Sequence, residues 1–156
     1  GIGISGEDLS DIRISGTEWT KKVITIENLT TFFRWEEKDA LIIYLGGYHN
    51  RVRRTLLEKI YREMPEIQYL HFGDIDVGGF EIYEDLCRKT GIPFLPYHMG
   101  IEELRMYREF SRPLTENDKR RLKRLMEQAE SDEAPYLETL QLMMEWGIKL
   151  EQECIR

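Results

Sequence analysis

Leu70-His71-Phe72-Gly73-Asp74-Ile75-Asp76-Val77-Gly78-Gly79 closes an apolar run with two carboxylates two residues apart and then a glycine pair. On a strand, residues i and i+2 point the same way. If 67–73 is a buried parallel strand, Asp74 and Asp76 leave its C-terminal end side by side, where open α/β sheets hold their ligands. Two carboxylates that close repel, and a hard divalent cation relieves the repulsion. Gly78 and Gly79 let the backbone turn tightly, and residues 80–89 follow in a helical pattern. The stretch therefore predicts a strand, a magnesium-binding turn and a helix.

Upstream, the same alternation repeats. Val23-Ile24-Thr25-Ile26 is a β-branched run that ends at Glu27-Asn28 and a helical turn reaching Phe33. Ala40-Leu41-Ile42-Ile43-Tyr44-Leu45 is a second buried strand, closed by Gly46-Gly47. Residues 51–64 carry Val52, Leu56, Leu57, Ile60 and Tyr61 at helical spacing, with Pro65 as a stop. Ile92-Pro93-Phe94-Leu95-Pro96 reads as a short edge strand bounded by prolines. Strands alternating with helices at these distances predict an α/β fold, a parallel sheet of about four strands flanked by helices, with right-handed crossovers.

Beyond Met99 a helical C-terminal extension is expected. Thr115 stands three residues before Asp118 as a capped start for a helix over 119–130, and Asp132 to Pro135 break it. Tyr136, Leu137, Leu140, Met143, Met144 and Ile148 mark a last amphipathic helix, interrupted near Gly147. Residues 1–17 hold four glycines and no sustained period. Residues 1–21 are accordingly expected to form a lead-in or linker to a domain over 22–156, the chain being a piece of a larger protein.

A chain of 156 residues that is 41% hydrophobic suits one domain with a real core. Its formal charge of −7 argues against gripping nucleic acid by net charge, but leaves room for an acidic metal site that meets nucleic acid locally. Cys87 and Cys154 fit neither a disulfide framework nor a zinc-ligand spacing. No apolar run approaches the roughly 20 residues that span a bilayer, and no signal pattern opens the chain. A cytoplasmic protein that does not engage the membrane is expected.

In a parallel sheet, Glu27, Gly46-Gly47 and the Asp74 to Asp76 turn all come to the C-terminal ends of strands, in one crevice. Three carboxylates there could hold one or two Mg²⁺ ions, which polarise a phosphoryl oxygen and activate water. The competing reading is that each acid only caps a helix N-terminus, worth about 0.3–1 kcal/mol. Capping accounts for one aspartate of the pair, not for two on one side.

Taken together, Val23-Ile24-Thr25-Ile26-Glu27-Asn28, Gly46-Gly47 and Gly73-Asp74-Ile75-Asp76-Val77-Gly78-Gly79 resemble the three motifs of a Toprim domain, the catalytic fold of topoisomerases, DnaG-type primases and several nucleases. The branch they resemble most contains the topoisomerase VI A subunit and the C-terminal domain of JetD, the nuclease subunit of Wadjet anti-plasmid systems. Leu150-Glu151-Gln152-Glu153 resembles the end of the JetD-type domain. The resemblance implies Glu27 as general acid/base or metal ligand and Asp74 and Asp76 as ligands of Mg²⁺ or Mn²⁺. It implies Gly46 and Gly47, with Gly78 and Gly79, as close-approach glycines. It further implies DNA as substrate, with a homodimer and a condensin-like complex as partners. A topoisomerase needs a nucleophilic tyrosine, and none of the eight here stands in a matching context, so metal-assisted hydrolysis is favoured over strand passage.

Other residues are weighed against plainer roles. Arg51, Arg53 and Arg54 open a helix just after the Gly46-Gly47 pair and are candidate phosphate contacts. Lys119-Arg120-Arg121 with Lys123-Arg124 reads as a solvated helix face, His49 and His71 as structural because magnesium prefers oxygen, and Trp19, Trp35 and Trp146 as packing groups. Glu151 and Glu153 are additional candidate acids, although two residues apart on a helix they face different ways. Two rivals stand beside the nuclease: a haloacid dehalogenase-type phosphatase, whose D-x-D comes nearer the start of its domain, and a non-catalytic Toprim docking or dimerisation module.

Overall fold

The computed structural model describes the backbone of residues 12–15 and, with side chains, residues 20–46 and 50–156. Gly47, His49 and Trp19 lie outside them. Five strands form the main sheet: β1 (Ile12–Ser15), β2 (Lys22–Ile26), β3 (Ala40–Tyr44), β4 (Gln68–Phe72) and β5 (Leu95–Pro96), in the order β1-β3-β2-β4-β5. The four predicted strands run parallel. The stretch read as a lead-in supplies β1, which pairs antiparallel to β3 at the edge. Glycines and a short apolar run disguise such a strand, because one exposed edge asks for no continuous hydrophobic pattern.

Six helices are described: α1 (Leu29–Arg34), α2 (Arg51–Glu63), α3 (Val77–Thr90), α4 (Ile101–Met106), α5 (Glu116–Ser131) and α6 (Leu137–Trp146). Four of the starts follow from side-chain caps. Asn28 accepts from the Thr31 N–H, Asn50 from Arg53, Asp76 from Gly79, and Thr115 with Asp118 forms the predicted capping box. Gly91 and Gly147 end α3 and α6 at φ of 69° and 66°, the left-handed conformation that stops a helix.

Three expectations are corrected. Gly78 and Gly79 lie in the first turn of α3 rather than in a turn before it, since Asp76 caps the helix from Val77. Only Leu95–Pro96 of the 92–96 run pairs with β4, because Pro93 cannot donate to a ladder. Ile148, expected on the last helix, lies in β7 (Ile148–Lys149), which pairs antiparallel with β6 (Arg112–Pro113) beyond the Gly147 stop.

Strand alternation sorts the core. Ile24, Ile26, Leu70 and Phe72 point to one face, where Trp35 after α1 packs edge-on against Phe72 at 4.8 Å. Tyr69 and His71 point to the other, where Tyr69 meets Tyr61 of α2 and His71 meets Tyr83 of α3. Right-handed crossovers give the same division, α1 on one face and α2 with α3 on the other. The chain leaves β2 toward β3 and then returns across it to β4, so the order reverses between β2 and β4. That switch point opens a crevice at the C-terminal ends of the two strands.

Candidate functional site

Glu27 follows the last residue of β2, and its backbone N–H extends the sheet by donating to Phe72 O at 3.1 Å. Its carboxylate shares a face with Thr25 and His71, which are partners in the β2–β4 register. Glu27 Oε2 is buried and has no hydrogen-bond partner among the described residues. His71 Nε2 lies 3.7 Å from it. The slot exists because residue 73 is glycine: a Cβ there would stand 2.2 Å from Glu27 Oε2 and 3.1 Å from His71 Nε2.

Beyond Phe72 the chain stays extended through Ile75, which forms an antiparallel bridge with Leu150. Two hydrogen bonds of 2.9 and 3.0 Å close that bridge, and the Ile75 side chain is fully buried. With Ile75 turned into the core, its neighbours Asp74 and Asp76 project the other way, as the i, i+2 rule requires. They are held differently. Asp76 Oδ1 accepts from the Gly79 N–H at 2.6 Å and caps α3, so the capping role does account for one of the pair. Asp74 Oδ1 accepts at 2.6 Å from the Gln152 N–H.

Burial pushes the Asp74 carboxyl up to about 7, and the charges of Asp76, Glu27 and Glu151 add to the rise while the Gln152 N–H opposes it. Asp76 is raised as well, chiefly by burial, with the Gly79 N–H opposing and Glu27 adding. The three acids thus act on one another electrostatically. Gly79 permits the close turn: a Cβ at that position would meet the Asp74 carbonyl oxygen at 2.0 Å. Gly78 has no such constraint, its Cβ position lying 3.5 Å from Asp76 Oδ1.

The C-terminal segment completes the crevice through a residue that the sequence reading passed over. Gln152 is fully buried, and its Nε2 donates to Phe72 O at 2.8 Å while its Oε1 accepts from the Asn28 N–H at 2.9 Å. One side chain therefore ties the ends of β2 and β4 together. Glu151 faces Asp74 closely enough to raise it, and pairs with Arg112 at 3.2 Å. Glu153 accepts from Asn28 Nδ2 at 2.8 Å and is exposed. The two acids flank Gln152 at the start of a single 3-10 turn rather than along a continuous helix.

Gly46, two residues beyond the end of β3, has φ of +70°, where a side chain is disfavoured. The arginines divide. Arg53 Nη1 donates to Tyr44 O at 2.7 Å and its guanidinium lies 5.6 Å from the Tyr44 ring centre, so it anchors α2 to β3. Arg54 Nε is buried, and Arg51 is exposed at the N-terminal end of α2. In the basic stretch of α5, Lys119 pairs with Glu116 and Arg121 with Glu81.

The donor set suits a hard cation: carboxylate oxygens, one of them buried and unpartnered. Among the described residues no three His, Cys, Asp or Glu side chains already stand together as a metal-holding group. Mg²⁺ does not require one, since it is commonly held by one or two carboxylates and keeps several waters. No helix among the described residues is long and apolar enough to cross a membrane.

A family model described as Wadjet protein JetD, C-terminal, matches residues 10–156. Wadjet protein JetD of Bacillus cereus (strain Q1) is 27% identical over 159 residues, a match that covers 99% of this chain and 38% of that protein. The chain spans well under half the length of this curated relative.

Proposed function

The chain belongs to the C-terminal family of the Wadjet protein JetD, and from that membership we propose that it is a Toprim-type nuclease domain which cleaves DNA phosphodiesters with Mg²⁺ or Mn²⁺. The observation that carries the reading is Glu27 Oε2, buried and unpartnered at the end of β2, beside the β4 turn that bears Asp74 and Asp76. Glu27, Asp74 and Asp76 would hold the cation. When bound, it would polarise a phosphoryl oxygen and make an attacking water more acidic.

The chain's own residues do the rest. Asp74 and Asp76 keep Oδ1 on backbone N–H groups, which fixes both carboxylates. Glu27 presents an oxygen that can accept a proton or ligate. Gln152 holds the strand ends at fixed separation. Arg51, exposed at the N-terminal end of α2, would meet the DNA backbone. The setting is cytoplasmic anti-plasmid defence, in which the full-length protein pairs with a second copy and acts with a condensin-like complex.

A non-catalytic docking module is the second reading, and it is favoured by the backbone hydrogen bonds of both aspartates, a helix cap for Asp76 and a tie to the C-terminal segment for Asp74. Nicking of supercoiled plasmid by the full-length protein separates the two. Glu27→Ala, Asp74→Ala and Asp76→Ala should each remove most Mn²⁺-dependent cleavage; unchanged cleavage in all three would leave the docking module.

A further inference from the structure

We propose that His71 is a positioning residue for Glu27, giving it a hydrogen bond from Nε2 while the Thr25 hydroxyl fixes the ring; the inference rests on reading Glu27 as the acid of the site. His71 is fully buried on β4 and faces Thr25 across the β2–β4 ladder. Its Nδ1 lies 2.8 Å from Thr25 Oγ1. Among the described residues its Nε2 has no hydrogen-bond partner, and neither has Glu27 Oε2, 3.7 Å away. Two buried polar atoms left unpaired face each other across a slot that Gly73 keeps open.

The hydrogen on the ring decides what the pair can do. With hydrogen on Nδ1, Thr25 Oγ1 accepts from the ring and turns its own hydrogen to Leu70 O, a long contact of 3.4 Å. A bare Nε2 would then confront a carboxylate oxygen, both buried, which is unfavourable. With hydrogen on Nε2, the Thr25 hydroxyl donates to Nδ1, and Nε2–H points at Glu27 Oε2. Closing 3.7 Å to hydrogen-bond length takes a movement of under about 1 Å by the end of a flexible side chain. That arrangement pairs both ring nitrogens and Glu27 Oε2. A histidine oriented by a hydroxyl on one nitrogen can in this way orient a ligating carboxylate with the other, as outer partners of metal ligands do.

Histidine-selective ¹⁵N labelling of the full-length protein, without metal, reads the hydrogen directly. The His71 signals, identified by their loss in His71→Gln, should show hydrogen on Nε2 and a bare Nδ1. Thr25→Val should shift that balance and Thr25→Ser preserve it. Hydrogen on Nδ1 alone in the parent protein, which leaves Nε2 bare, overturns the proposal. In a parallel Mn²⁺ titration, His71→Leu should bind about 10-fold more weakly or worse, with His71→Gln restoring most of the loss through its amide N–H. Should His71→Leu not fold, Thr25→Val serves in its place. Parent affinity in the folded variant overturns the proposal, whereas a parent protein that binds no Mn²⁺ defeats the metal reading and leaves the ¹⁵N result to decide the role of His71.

Discussion

The backbone N–H of Gln152 donates to Asp74 Oδ1 at 2.6 Å, across 78 residues of sequence. This bond makes the C-terminal segment part of the crevice rather than an appendage, because the same residue also bonds Phe72 O and the Asn28 N–H through its side chain. Gln152→Leu leaves those two groups without partners in a buried place, at about 1–3 kcal/mol for each. Urea denaturation should show a loss of at least about 2 kcal/mol. A variant as stable as the parent would mean that the tail does not brace the strand ends.

Asp74 supplies a pH test. Its carboxyl stands at about 7 in the folded protein against an ordinary 3.8, so between those values the folded state binds more protons than the unfolded one. Stability without metal should therefore fall as pH rises through that window. Asp76, also raised, acts in the same direction. Asp74→Asn keeps an oxygen for the Gln152 N–H and removes the charge. Its stability curve should be flatter from about pH 4 to 7 and lie above the parent at pH 8 in chelator, while stabilisation by added Mn²⁺ disappears. Parallel curves for the two proteins would contradict the burial and mutual repulsion assigned to this carboxyl.

Gly73 and Gly79, on either side of the two aspartates, should fail in different ways. At Gly79 a methyl group meets backbone, the Asp74 carbonyl oxygen at 2.0 Å, and Gly79→Ala should cost about 1–3 kcal/mol. At Gly73 it meets the tip of the Glu27 side chain at 2.2 Å, which can swing aside. Gly73→Ala should stay within about 1 kcal/mol of the parent yet lose Mn²⁺ affinity and cleavage. Equal stability losses in the two would mean that Glu27 cannot move.

Arg51 and Arg53, neighbours in sequence, should separate in a salt titration of DNA binding. Arg51→Ala should weaken binding and lower the slope of log affinity against log salt by about 0.9, the effect of one phosphate contact. Arg53→Ala should chiefly lower stability, because its guanidinium is bonded to Tyr44 O. A slope that does not change in Arg51→Ala would remove that residue from the DNA-binding surface.

What the sequence revealed and what it hid follow from range. The four parallel strands and the acids after them were readable because β-branched runs such as Val23 to Ile26 and the D-x-D-x-G-G turn are local patterns. The antiparallel edge strand β1 and the pairing of Ile75 with Leu150 were not, since each depends on a partner far along the chain. His71 looked like a core histidine, and by burial it is one. Only the β2–β4 register, which sets it opposite Thr25 and next to Glu27, gives it a direction. Gln152 stood inside the quoted tail motif between two glutamates, where attention to charge obscured the one residue with both a donor and an acceptor to spend.

The most direct measurement pairs nicking of supercoiled plasmid with DNA binding, for the full-length protein and its Asp74→Ala variant, at fixed low salt with Mn²⁺. Asp74→Ala should lose about 100-fold or more of the cleavage, because acids that build one site fail as a unit. Its DNA affinity should be equal or higher, since a carboxylate facing phosphates has been removed. Cleavage that persists in the folded variant, with contaminating nuclease excluded, would contradict the account.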